Sequence, residues 1–291
     1  VALDVGSDDR IGGYKVVRPL QMGQNSMILE VVQEGSGRRF ALKELLPSRA
    51  ADADERRAFE FEAKLGQELY HPNLIRVHEY HKDKHQPYFV MDYFPSMTLR
   101  LVVAKPNEFG LTKGRMHWVI TQSANALAYM HDKGWVHRDV KPENILVNKS
   151  GEVRVIDYAL AKRVPTGLGK LFGGKPPREG TRSYIPPEQI LRQPPMPAND
   201  VYSFGITCYE LACGRQPFRA NSPQELLEKH VKERPAPLDS VNKSVTPEFA
   251  DLVGRMLAKK PADRPEGFRD FLSKFARIRI YKDDPDPQAD R

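Results

Sequence analysis

Residues 137–144 read HRDVKPEN and crowd ionisable and amide side chains into one short polar stretch. Asp139 offers a carboxylate, Lys141 a cation and Asn144 an amide. An apolar run at 145–147 follows directly, and a second at 153–156 delivers another carboxylate, Asp157. This pattern predicts a hairpin with a polar cluster at each mouth. The chemistry such a set suits is phosphoryl transfer. A carboxylate takes the proton of an attacking hydroxyl, a cation stabilises phosphate oxygens, and Asn with Asp holds a divalent metal. A charge-rich turn would give some of these residues by chance, but not all of them in this order.

Positioning such groups takes a scaffold, and the rest of the chain reads as one. Residues 13–46 alternate apolar and polar, as half-buried strands do. YKVVRPL, MILEVVQE and RRFALKELL are expected to be three antiparallel strands, with the GSG at 35–37 as a hairpin turn. ERRAFEFEAKLGQEL reads as a charged amphipathic helix, and strands are expected near 74–80 and 88–93. From Thr112 apolar residues recur at three-and-four spacing until Gly134, a suitable helix stop. After residue 278 the tail YKDDPDPQADR is acidic and Pro-broken, and disorder is expected there.

The ordered motifs resemble those of eukaryotic-type (Hanks-type) serine/threonine protein kinase catalytic domains, a group with bacterial members, and the likeness spans about residues 13–278. It implies an α+β, two-lobe fold: a small β-rich lobe with one long helix (13–93) and a larger, mainly helical lobe (94–278). Residues 1–12 would be an extension, 157–188 the activation segment and 279–291 a tail. ATP and Mg²⁺ are the implied cofactors. Asp139 would act as base or orienter of the substrate hydroxyl, Lys141 would steady the γ-phosphate, and Asn144 and Asp157 would hold metal. Lys43, which ends FALK, would pair the α- and β-phosphates with help from Glu62. Glu60 is the alternative, but two residues along a helix rotate by about 200°, so only one can face the lysine. Leu20, Gly23, Ile28, Ala41, Met91, Asp92, Phe94 and Leu146 match positions that surround adenine, Met91 as gatekeeper and 92–94 as the connector.

Departures from the family pattern are as informative. Of the glycine-loop positions only Gly23 is kept; Gln21, Ser26 and Ile28 stand at the others. Asp157-Tyr158-Ala159 replaces Asp-Phe-Gly, and Ala does not visit positive φ as Gly does. In the family a stack of side chains runs through both lobes. Here it would comprise His137, Tyr158, Val77 and Gly66, so a gap is expected at Gly66. Pro186-Pro187-Glu188 matches Ala-Pro-Glu, and Glu188 is expected to pair with Arg264. Thr181 would bond the catalytic Asp and Lys, and Asp200 would anchor the loop backbone. Arg138 usually signals control by a loop phosphate, yet between Ala159 and Gly180 the only hydroxyl is that of Thr166, so loop phosphorylation is expected to be at most a secondary control, with Thr166 and then Ser183 as the candidates. Glu143 and Glu210 fall where some kinases bind basic peptide residues, a lean towards basic substrates.

Bulk properties set limits. At 291 residues, with 40% hydrophobic and 29% charged residues, the chain suits an ordinary globular protein of two lobes. No run is long and apolar enough to span a membrane. The net charge is +7, yet Lys and Arg are scattered, so nucleic acid is not an expected partner. Cys208 and Cys213 fit neither a zinc pair nor a redox motif; buried free thiols and a cytoplasmic setting are expected. The chain begins with Val, which suggests a segment excised from a longer protein with flanking domains. The expected partner is a protein carrying a Ser/Thr acceptor. The competing readings are a pseudokinase scaffold without efficient turnover and a small-molecule phosphotransferase of similar fold. TRSYIPPE and PADRP resemble the peptide-docking half of protein kinases and argue against the second rival.

Overall fold

The computed structural model describes residues 9–83, 85–105, 113–165 and 179–285. Two compact units emerge. One gathers the chain up to Pro95 together with Asp157–Ala159, and the other takes Ser96–Ile156 and everything from Leu160 on.

Alternation builds the first unit. Strands β1 (Arg10–Ile11), β2 (Tyr14–Met22), β3 (Ser26–Gln33), β4 (Arg39–Leu45), β5 (Val77–His81) and β6 (Tyr88–Asp92) form an antiparallel sheet in the order β1-β2-β3-β4-β6-β5. The sheet therefore starts ahead of residue 13, because Arg10 and Ile11 pair back onto Lys15 and Tyr14. Between β3 and β4, Gly35 and Gly37 both take positive φ, the left-handed turn geometry that the GSG sequence supplies. Every second residue points to one face. Leu29, Val31, Phe40, Leu42 and Val90 share one core with Tyr14 and Tyr88. Leu45, Phe89 and Val77 share the other with Phe59 and Ala63 of the helix Ala53–Glu68. Asp52 caps that helix by accepting from the amides of Asp54 and Glu55.

The second unit is mainly helical. The long helix Lys113–Asp132 is closed by Gly134 at φ 78° and leads into the polar loop. Ile145–Val147 and Val153–Val155 then form the expected antiparallel hairpin, and Met97–Thr98 pairs on its open edge. The helix Pro197–Cys213 is buried along almost its whole length. Glu188 and Arg264 meet in a buried two-pronged ion pair at 2.8 and 3.0 Å, as expected. Breaking a buried pair of this kind by removing one partner costs about 3–5 kcal/mol, since the other charge is stranded. Cys208 is buried and Cys213 half-buried, and neither forms a disulfide.

The tail departs from expectation. Residues 279–285 are ordered on the second unit rather than loose. Ile280 is fully buried, its carbonyl accepts from the Thr246 amide, and Tyr281 bridges to Val245. A buried apolar side chain and main-chain bonds to Ser244 and Thr246 outweigh the charge around them. Residues 286–291 lie outside those described.

Candidate active site

Within the first unit, strand register decides which residues share a face. Ile28 lies opposite Lys43, Lys43 opposite Phe89, and Ala41 opposite Met91. Opposed residues of antiparallel strands point the same way, so Ile28, Ala41, Lys43 and Met91 all face the side that carries the helix Ala53–Glu68. From that helix Glu62 meets Lys43 with both carboxylate oxygens, at 2.7 and 2.8 Å from Nζ. Glu60 points elsewhere and pairs with Lys64 and Lys82 on the surface. Burial works against the Lys43 ammonium, yet the charges of Glu62 and Asp157 outweigh it and hold its pKa above the ordinary lysine value.

The remaining first-unit residues are placed as follows. Gly23 sits in the tight turn between β2 and β3, its amide bonded to the Ser26 carbonyl at 2.9 Å. Leu20 is exposed on β2, and Phe94 is half-buried just past β6. Asp92 has its side chain bonded to His78 Nε2 at 2.7 Å. Asp157 takes φ 69°, an uncommon conformation for a residue with a Cβ and one that clusters at functional sites. Tyr158 is 1% exposed, and its hydroxyl donates to the Ile75 carbonyl at 2.9 Å. Ala159 is not among the positive-φ residues, so its Cβ imposes no strain in this conformation.

The expected gap at Gly66 does not exist. A Cβ placed there would lie 2.4 Å from Val77 Cγ2 and 3.5 Å from the Tyr158 ring. Val77 occupies the space, and the pairing of β5 with β6 shifts register between Val77 and Glu79.

In the second unit the polar loop is held from beneath. Asp200, fully buried near the start of the helix Pro197–Cys213, accepts from the amides of His137 at 2.7 Å and Arg138 at 2.8 Å, and from His131 Nε2 at 2.9 Å. Burial alone would raise its pKa, but the bond and charge of His131, with the amide of Arg138, bring it below the usual aspartate value. Arg138 is thereby fixed at φ 68°, and the next residue, Asp139, is presented to a ring of donors. Thr181 gives Asp139 Oδ1 both its amide (3.0 Å) and its hydroxyl (2.9 Å). Lys141 Nζ and Asn144 Nδ2 reach Oδ2 at 2.5 and 3.1 Å, and Lys141 also donates to the Thr181 hydroxyl at 2.7 Å. Asn144 spends its nitrogen on Asp139, so its amide oxygen is the group it can offer a hard cation. The Asn144 carbonyl accepts from the amide of Ile156, the residue before Asp157. Leu146 lies on the adjoining strand, opposite Thr98.

Two partners were not legible in the sequence. Arg138, almost fully buried, pairs with Glu179 at 3.2 Å, where the family pattern suggests a phosphate. Glu143 and Glu210 are both engaged by Arg100. Neither Glu179 nor Arg100 sits in a motif, and only the folded chain brings them to these acids. Thr166 lies outside the described residues.

Comparison with known proteins agrees with this geometry. The protein kinase domain profile matches residues 14–274. The serine/threonine-protein kinase PknA of Mycobacterium tuberculosis is 32% identical over 285 residues, 95% of this chain and 63% of that protein. The serine/threonine-protein kinase pkn2 of Myxococcus xanthus is 30% identical over 91% of this chain and 32% of its own length. Aurora kinase A-A of Xenopus laevis is 30% identical over 86% and 59%. The chain thus spans less than two thirds of these relatives. A profile match over most of the sequence, a β-sheet lobe with one long helix and a helical lobe with HRDVKPEN held on Asp200 lead to one assignment: the chain belongs to the protein kinase domain family.

Proposed function

We propose that this chain transfers the γ-phosphate of ATP, with Mg²⁺, to serine or threonine hydroxyls of protein substrates. The observation that carries the proposal is the environment of Asp139. Both its oxygens are fixed by donors from Thr181, Lys141 and Asn144, which is how a carboxylate is held to orient a hydroxyl and take its proton. Lysine two residues after the aspartate and the names of the relatives favour Ser/Thr acceptors.

Each remaining residue has a part. Lys43, kept charged by Glu62, neutralises nucleotide phosphate. Ile28, Ala41 and Met91 offer an apolar surface on the same sheet face, and Leu20, Gly23, Phe94 and Leu146 complete the proposed adenine contacts, with the backbone of 92–94 as the polar element. Lys141 screens charge on the phosphoryl group beside Asp139. The Asn144 amide oxygen and the Asp157 carboxylate are the oxygen donors that suit Mg²⁺, which takes few protein ligands and leaves its other positions to phosphate and water. When bound, that ion screens phosphate charge and orients the transferable group. The sparse glycine loop and Asp157-Tyr158-Ala159 are the departures that favour a pseudokinase; the second is accommodated, since Ala159 does not take a positive φ and the Tyr158 hydroxyl has a partner. No helix among the described residues is long and apolar enough to cross a membrane.

The experiment is transfer of labelled phosphate from ATP to a generic protein substrate in Mg²⁺. Asp157→Asn should abolish transfer and weaken ATP binding measured in Mg²⁺, whereas Asp139→Asn should slow turnover and leave nucleotide affinity nearly unchanged. Wild-type turnover in Asp157→Asn would overturn the assignment.

A further inference from the structure

Two carboxylates beside the catalytic loop are already occupied by a cation from the same chain. Glu143 lies in the loop, between Lys141 and Asn144. Glu210 rises from the buried helix Pro197–Cys213 and is 5% exposed. Arg100, on the short helix Leu99–Ala104, reaches both: Nε to Glu143 Oε1 at 2.7 Å, and Nη1 to Glu210 Oε1 at 2.5 Å. Its third nitrogen donates to the Tyr184 hydroxyl, which in turn donates to Glu210 Oε2 at 2.5 Å. Gln216 reaches the same hydroxyl at 3.0 Å. Both oxygens of Glu210 and one of Glu143 are therefore satisfied from within the chain. The other Glu143 oxygen, Oε2, is shielded from solvent and has no hydrogen-bond partner among the described residues.

We infer that Arg100 is a specificity-determining residue: an internal guanidinium that fills the acidic pair at the catalytic loop and so denies it to arginine side chains of substrates. An incoming guanidinium needs two carboxylate oxygens in a fork to bind strongly. With Arg100 in place no such fork is on offer: three of the four oxygens are bonded within the chain, and the fourth, Glu143 Oε2, is shielded from solvent. The lean towards basic substrates that Glu143 and Glu210 suggest in the sequence is thereby reversed. Removing Arg100 strands two carboxylates, one of them two residues from Lys141 in the chain and both within reach of a single guanidinium, and a substrate arginine is the natural replacement. The inference rests on the kinase reading above and adds to it a statement about which substrates are preferred.

The test is a serine peptide series in which one arginine is moved through the residues ahead of the acceptor, with an all-alanine parent. Wild type should treat arginine and alanine peptides alike, within about twofold in kcat/KM. Arg100→Ala should lower KM for at least one arginine peptide by about tenfold with kcat little changed, the size expected of a partly buried charge-assisted pair. Arg100→Lys, which restores a cation, should return to indifference, and Arg100→Ala with Glu143→Gln should lose the gain. A wild type that already favours an arginine peptide tenfold overturns the inference, and so does an active Arg100→Ala that ignores arginine. Should Arg100→Ala fail to fold, Arg100→Gln, which keeps a hydrogen-bonding side chain without the charge, takes its place: the same gain for an arginine peptide is expected of it, and indifference overturns the inference. No transfer to any peptide by wild type would instead remove the kinase reading and this inference with it.

Discussion

Replacing Gly66 by alanine should destabilise the small unit, although alanine is the better helix former. Inside a helix the exchange gains about 1 kcal/mol from propensity alone. Against this, the new methyl would sit 2.4 Å from Val77 Cγ2 and 3.1 Å from its Cβ. Val77 is 2% exposed, β-branched and stiff, and on the other side the Tyr158 ring stands at 3.5 Å. Overpacking a rigid core costs about 1–3 kcal/mol in ordinary cases, and a contact this short belongs at or beyond the upper end. The net loss should be about 2 kcal/mol or more. Val77→Ala alone should also destabilise, by opening a cavity. The double variant should recover much of the loss, with a coupling of at least about 1 kcal/mol, because each change makes room for the other. Urea unfolding of the four proteins measures this as shifts in midpoint at constant slope. If Gly66→Ala stabilised the protein, or if the two effects simply added, Val77 would not be what fills the space beside Gly66.

Two further expectations concern charge. Glu179→Ala should leave the buried Arg138 guanidinium without its carboxylate and cut turnover several-fold, while phosphatase treatment of the wild type leaves activity intact; loss of activity on dephosphorylation would show that Glu179 does not stand in for a phosphate. His230 is fully buried against Tyr202 and Phe218, and burial, then the Lys259 charge, lowers its pKa to about 3. The unfolded chain takes up that proton near pH 6.5 and the folded one only near pH 3, so stability present above pH 6.5 is lost as pH falls between those values. His230→Phe should flatten this part of a melting-temperature profile, and an unchanged acid limb would refute the assignment.

Strand positions were legible because alternation is a local signal, and the Lys43–Glu62 pair was legible because the family resemblance places its helix glutamate at Glu62 while helix rotation lets only one of Glu60 and Glu62 face the lysine. Asp200 and the Glu188–Arg264 pair followed from motif order. What stayed hidden depends on contacts distant in sequence. The side chain that fills the space beside Gly66 comes from a strand with a register shift, which no hydrophobic pattern announces. Arg100 meets Glu210 across 110 positions, and an isolated arginine in an apolar stretch gives no hint of its partner. The ordering of 279–285 rests on the buried Ile280 and on main-chain bonds to Ser244 and Thr246, whereas the composition there is dominated by charge.

Asp200 grips the amides of His137 and Arg138 rather than their side chains. A main-chain grip does not read which residue it holds. The shape of this loop is therefore insured separately from its chemistry, and side chains within it could be exchanged over evolutionary time without redrawing the path of the backbone. The converse is a vulnerability far from the reacting atoms: an error at one carboxylate inside a hydrophobic helix would release the geometry of every group above it at once.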